Sequence, residues 1–438
     1  MTSKTTIRRI ATNDPDFKDN LIGILDRDML IAESITSTVS DILKNVRERG
    51  DEALLEYTKT FDKFAVSSID DLVVGREQME EALASIGSSQ REALSEAAKR
   101  IRHYHEKQKQ GSWQYQETDG SVYGQKVTPL ERVGVYVPGG KANYPSSMLM
   151  LAVPAQVAGV KEIVATVPTQ PGADGNIVFA AAALAGVSQV FTVGGAQAIA
   201  ALAYGTKTIS KVDKIAGPGN VYVAAAKKMV FGEVGIDMVA GPSELTIVCD
   251  GETDPDWIAM DMFSQAEHDE QAQSILISTD KSYIDRVQKS IDTLLPTMDR
   301  QSIIRTSLEQ RGVFIHAQDI VDAADVVNEI APEHLELSVA EPNAMLDLIN
   351  NAGAIFLGRY TAEALGDYCA GPSHVLPTSG TARFFSALGV YDFQKRSSVI
   401  QCSAIAAHNL AGITSELAMN EHLQAHALSA EYRIMSKK

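Results

Sequence analysis

A chain of 438 residues is longer than one hydrophobic core supports, so two or three domains are expected. A formal net charge of −17 excludes binding driven by nucleic-acid phosphates and polybasic docking on anionic membranes. The cysteines Cys249, Cys369 and Cys402 are odd in number and far apart, which excludes a disulfide framework and suits a reducing cytosol.

The N-terminus carries Lys4, Arg8 and Arg9 without an apolar core of signal-peptide length behind them, and no later apolar run reaches the length of a membrane span. A soluble, cytoplasmic protein is expected. Residues 32–110 read as helical. Ile35 to Arg49 and Glu52 to Thr60 have 3.6-residue periodicity, punctuated by Gly50-Asp51, and Glu77 to Gln110 continues it with only Gly87 inside. His103 and His105 close that stretch among Lys and Gln and are expected to be solvated.

From residue 133 the texture changes. Short β-rich runs at 133–137, 162–167, 189–193 and 212–215 alternate with alanine-rich helical segments at 146–158, 176–185, 196–204 and 221–230. Apolar strands alternating with helices predict a doubly wound parallel sheet covered on both faces. The alternation restarts at Leu245 and runs through 274–277, 313–315 and 354–357, so two similar α/β layers are expected, with a Gly-Pro link near residue 242. The stretch from 382 onward is helix-rich, polar and too short for its own core. It must pack on the body or on a partner chain.

Three glycine turns follow strands in the first unit: Pro138-Gly139-Gly140, Gly194-Gly195-Ala196-Gln197 and Ala216-Gly217-Pro218-Gly219-Asn220. Each opens a helix, where free backbone N–H groups can seat phosphate, yet none is a standard G-x-G-x-x-G. Ordinary βα turns and a nucleotide site both remain open readings.

The strongest chemical signal lies further on. Seven of the nine histidines follow residue 260, several beside carboxylates or amides. Imidazole nitrogen with carboxylate or amide oxygen suits a borderline divalent metal, and Glu-His pairs suit proton transfer near neutral pH. Gln265 and His268 stand three apart in a helical segment, Asp367 sits in a loop with Gly366, and Glu333-His334 opens a short apolar run. In the tail, His422 and His426 are four apart and would be the naive metal pair. Glu421 and His426, five apart, converge only if the helix bends or ends between them. A cysteine nucleophile is the rival chemistry. Nothing cationic adjoins Cys402 and Asp367 disfavours a Cys369 thiolate, so structural roles are expected for the cysteines.

The ordered set of motifs resembles the histidinol dehydrogenase family. It comprises Val135-Tyr136-Val137-Pro138-Gly139-Gly140, Gly195-Ala196-Gln197, Gly217-Pro218-Gly219-Asn220 and Ala240-Gly241-Pro242-Ser243-Glu244, then Ser264-Gln265-Ala266-Glu267-His268, Pro332-Glu333-His334-Leu335, Gly366-Asp367-Tyr368 and His374-Val375-Leu376-Pro377. The resemblance implies zinc-dependent oxidation of L-histidinol to L-histidine through histidinal with two NAD, the last step of histidine biosynthesis. It implies Gln265, His268, Asp367 and His426 as zinc ligands, and His334 as general base. Glu333 is implied to activate water on the aldehyde. Ser243, His374 and Glu421 join the ligands as implied substrate contacts, and Tyr136, Gln197 and Asn220 are implied NAD contacts. A homodimer with shared active sites is also implied, in which Glu421 and His426 cross to the partner.

The matching organisation has an arm at 1–26, a main α/β domain from 27–132 and 243–381, an NAD-side α/β domain at 133–242 and a crossing tail at 382–438. Relatives acting on sulfonated propanediols are the alternative within the family. Glu421 and His374 favour a cationic substrate over a sulfonate. A zinc hydrolase would use no nucleotide, and a zinc ion serving only as dimer glue would show no turnover.

Overall fold

The computed structural model describes residues 4–26, 33–64, 66–139, 144–168 and 176–435, so Gly140 of the first glycine turn lies outside the described residues. Two six-stranded sheets form the frame. In the first, strand Arg132–Tyr136 is central, with Glu162–Thr166 and Gln189–Phe191 on one side and Lys214–Ala216 and Gly235–Ile236 on the other. These strands run parallel, and Val73–Val74 adds an antiparallel edge. In the second, Glu244–Cys249 is central, flanked by Gln273–Ser278 and Val313–His316 on one side and His334–Ser338 and Ala354–Leu357 on the other. Ignoring the added edges, both sheets follow the order 3-2-1-4-5 of doubly wound folds. Two Rossmann-like α/β units are therefore present.

The strands read as continuous apolar runs because helices cover both faces. Val133, Val135, Ile163, Val190 and Ile215 are buried in the first unit, and Leu245, Ile247, Leu276, Phe314 and Leu337 in the second. The extra edge of the second sheet is Arg8–Ala11, parallel to Val313–His316.

Several expectations need correction. Residues 27–132 were grouped with the later unit, but their helices pack on the first sheet. Val39, Ile42, Leu43 and Val46 of helix Glu33–Arg49 share a core with Phe191 and Ile199, and Met79 and Ile101 join Val135 and Leu149. The long helical pattern is two helices, Arg76–Ser85 and Ser88–Glu106, separated at Ile86-Gly87. Its His105 is fully buried, with Nδ1 donating to the Ile101 carbonyl, because the helix turns that face onto the body. A third, antiparallel sheet of Trp113–Gln116, Val122–Pro129 and Gln394–Gln401 was not anticipated, and it makes part of the tail a strand. Helices Ala404–Asn420 and Gln424–Glu431 follow it and pack on each other.

Candidate active site

Chain geometry at the second sheet's amino edge gathers the chemistry. Leu245 pairs with His334, so the residues entering these two strands, Glu244 and Glu333, lie side by side. The Glu244 N–H donates to Glu333 Oε2 at 2.8 Å. His334 opens its strand and donates from Nδ1 to the Glu244 carbonyl at 3.0 Å, which leaves Nε2 3.5 Å from Asp367 Oδ1. That hydrogen bond selects the tautomer whose Nε2 can accept a proton. Ser243 lies one residue before Glu244, and its carbonyl is held by Gln273 N–H.

Asp367 lies not in a loop, as its glycine neighbour suggests, but on the short helix Glu363–Tyr368. This helix packs on helix Pro255–Ala266, whose last turn carries fully buried Gln265. His268 lies just past that helix, and Gln265 Nε2 is 3.1 Å from its Nδ1. His374 is clamped between the Asp367 carbonyl at Nδ1, 2.9 Å, and Ser147 Oγ at Nε2, 3.0 Å. Ser147 lies on helix Pro145–Ala158, which follows the first sheet's central strand. The site therefore sits where the first sheet's carboxyl edge meets the second sheet's amino edge.

Two acids missed in the sequence complete the cluster. Glu363 is 2% exposed with neither carboxylate oxygen hydrogen-bonded, and Glu336 is 3% exposed. Glu363 and Asp367 are four apart on one helix face, a visible spacing obscured by the loop assignment. Burial pushes the Glu363 carboxyl up to about 8, against the pull of His334. Burial alone would lower the His334 imidazole, but Glu363, Glu333 and Asp367 outweigh it and raise it to about 10. Burial would likewise raise Asp367, yet His334, His374 and His268 hold it below the ordinary range. Burial lowers both His268 and His374.

These groups suit a divalent cation. Donor atoms of His334, Glu363 and Asp367 all lie within 4.8 Å of one another, and Gln265 Oε1 is buried without a partner. Such a crowd of buried acids and an orphaned amide oxygen calls for positive charge. That cluster overlaps the expected ligand set at Asp367, with Gln265 on the adjoining helix and His268 just past its end. The remaining expected residues, Glu421 and His426, are exposed on the tail. The helix does end between them, with His422 in the left-handed region at φ 59°.

At the carboxyl edge of the first sheet lies a cavity of about 510 Å³. Tyr136, Gln197 and Asn220 all line it, as do the starts of two helices, Gly195–Tyr204 and Val221–Val230. The Tyr136 hydroxyl accepts from Gly195 N–H, and burial pushes it up to about 12. Asn220 caps its helix by accepting from Tyr222 and Val223 N–H.

Paired doubly wound units with a nucleotide-sized cavity on one and a buried acid–imidazole cluster at the seam define an oxidoreductase scaffold. The comparisons narrow this class. A family model described as histidinol dehydrogenase matches residues 25–434. A histidinol dehydrogenase of Pseudomonas fluorescens is 62% identical over 434 residues, covering 99% of this chain and 98% of its own. Its counterpart in Pseudomonas aeruginosa is 62% identical over 438 residues, all of both chains. The crystal structure of histidinol dehydrogenase from Elizabethkingia anophelis superposes with a TM-score of 0.92 at 32% identity, covering 99% of each chain. The chain belongs to the histidinol dehydrogenase family.

Proposed function

We propose that the chain oxidises L-histidinol to L-histidine through L-histidinal, reducing two NAD per turnover with one zinc ion per subunit, as the last step of histidine biosynthesis. The observation that carries this reading is the Glu333–His334–Asp367 group, buried beside Gln265 and His268 at the seam of the two units. Gln265, His268, Asp367 and His426 of the partner subunit would hold the metal. When bound, it supplies a fixed charge that orients the substrate's imidazole and amine.

The chain's own residues do the proton work. His334, held through Nδ1 by the Glu244 carbonyl, accepts the alcohol proton at Nε2 once a cation at the site offsets the acids that otherwise keep the imidazole charged. Glu363 and Glu333 then stabilise the imidazolium. In the second oxidation the aldehyde must be hydrated, and the Glu333 carboxylate takes the proton from the attacking water. Ser243, His374 and the partner subunit's Glu421 line the substrate. NAD lies along Tyr136, Gln197 and Asn220, with its pyrophosphate at the helix starts.

The exposed apolar face of the tail supports a homodimer. Ile400, Ile405, Ile413, Leu417 and Tyr432 are each 60% exposed or more, too much apolar surface for a tail in water. No described helix is long and apolar enough to cross a membrane, and a cytoplasmic setting suits three free cysteines.

The test assays histidinol and histidinal separately by NADH absorbance. His334→Asn should lose about 10²–10⁴-fold on histidinol. Glu333→Gln should lose chiefly on histidinal, while the first oxidation survives. Equal losses on both substrates for Glu333→Gln would overturn its role.

A further inference from the structure

We infer that Asp62 is the carboxylate that reads the adenosine ribose of the dinucleotide and makes this protein select NAD over NADP. The inference rests on the NAD reading above and adds a residue that the sequence motifs do not point to. In a doubly wound unit, the acid that accepts from the ribose 2′-hydroxyl ordinarily stands at the end of the second strand, on the side that takes adenosine. Here that strand, Glu162–Thr166, runs into Val167-Pro168, with no carboxylate at its end among the described residues.

A different segment supplies one. Asp62 ends the π-helical turn Thr58–Asp62, and Lys63 reverses the chain with φ 56°. Asp62 lines the same cavity as Pro168, Tyr136 and Gln197. Its Oδ2 lies 3.4 Å from both Gly194 N–H and Gln197 Nε2, beyond the end of the third strand, Gln189–Phe191. A Cβ on Gly194 would meet Pro168 and Asp62 Oδ1, so the acid bridges the ends of strands two and three. This is the adenosine half of the sheet.

Both hydrogen bonds are long and use one oxygen, which leaves acceptor capacity aimed at the cavity. Among the described residues lining that cavity there is no Lys, Arg or His, and Asp62 is the single carboxylate. A diol can donate to it. A 2′-phosphate would meet like charge without a cation to offset it, so the site rejects NADP.

The test compares NAD with NADP on the intact enzyme, by direct binding and by kcat/KM. Asp62→Ser should raise the KM for NAD about 10-fold or more, the size expected for a lost charge-assisted hydrogen bond, with a smaller effect on kcat. The NAD-to-NADP preference should shrink by at least the same factor, and Asp62→Glu should recover part of it. An independent arm needs no variant: NAD lacking the adenosine 2′-hydroxyl should bind the wild-type enzyme about 10-fold more weakly than NAD. A preference unchanged within about twofold in Asp62→Ser, or equal binding of the deoxy analogue, overturns the inference. Wild-type protein that binds neither dinucleotide would instead sink the parent reading, and this one with it.

Discussion

Gly217 shows how little slack the cofactor side holds. A Cβ there would sit 2.1 Å from the Tyr136 carbonyl oxygen, and its φ of 125° is open to glycine alone. The turn is fixed from beneath by Lys227 and Asp237, an ion pair whose side chains are 2% and 1% exposed. Lys227 Nζ donates to the Gly217 carbonyl and Gly217 N–H donates to Asp237, so the two peptide groups flanking the Gly217 Cα are held by opposite charges. Removing one partner strands the other in a dry core. Lys227→Met should therefore cost about 3–5 kcal/mol in urea unfolding, and adding Asp237→Leu should recover most of it. No recovery in the double variant would mean the pair is not the source. Neither this pair nor the Asp62 position was legible in the sequence, because each joins segments whose separation in the chain carries no periodic signal. Glu333, His334, Asp367, Gln265 and His268 stood out because metal and proton chemistry restricts the residue types allowed there.

The strand His334–Ser338 alternates cleanly, yet it was read only as a short apolar run. Leu335 and Leu337 enter the apolar core, while His334, Glu336 and Ser338 occupy the other face and are also buried. A buried polar face breaks the usual apolar-in, polar-out rule, and that is why the pattern misled. Glu336 on this face accepts from Glu363 N–H and lies against Asp261. Burial raises both acids, Asp261 from 3.8 to about 6. A raised carboxyl holds its proton more tightly in the folded state, so its contribution is complete below the unfolded pKa and fades as pH rises through the folded one. The stability gap between Asp261→Asn and wild type, at constant metal loading, should move toward the variant by on the order of 2–3 kcal/mol from pH 4 to 7. A gap independent of pH would refute this origin. The apolar strands of both units were readable because parallel sheets covered on both faces need unbroken hydrophobic runs.

For the whole molecule, the tail decides whether the site is complete. His426 should matter and His422 should not: His422 closes a helix, its N–H bonded to the Met419 carbonyl and the Leu423 N–H to Ala418. His426→Ala should lose zinc and activity, with His422→Ala near wild type. Mixing His426→Ala with His334→Asn subunits should restore activity, because a hybrid dimer contains one intact site. Continued silence of the mixture, with subunit exchange verified, would show that each chain serves itself. The third sheet was invisible in the sequence because its strands belong to segments some 270 residues apart, Val122–Pro129 and Gln394–Gln401. That pairing has a consequence for synthesis. The hairpin from Trp113 to Pro129 leaves the ribosome with one flank unmatched, and its complement emerges only some 270 residues later. Throughout that interval the outer edge of Val122–Pro129 offers open backbone groups to any neighbouring nascent chain. Late-arriving closure leaves this small sheet open to mispairing until the last of its three strands has been made.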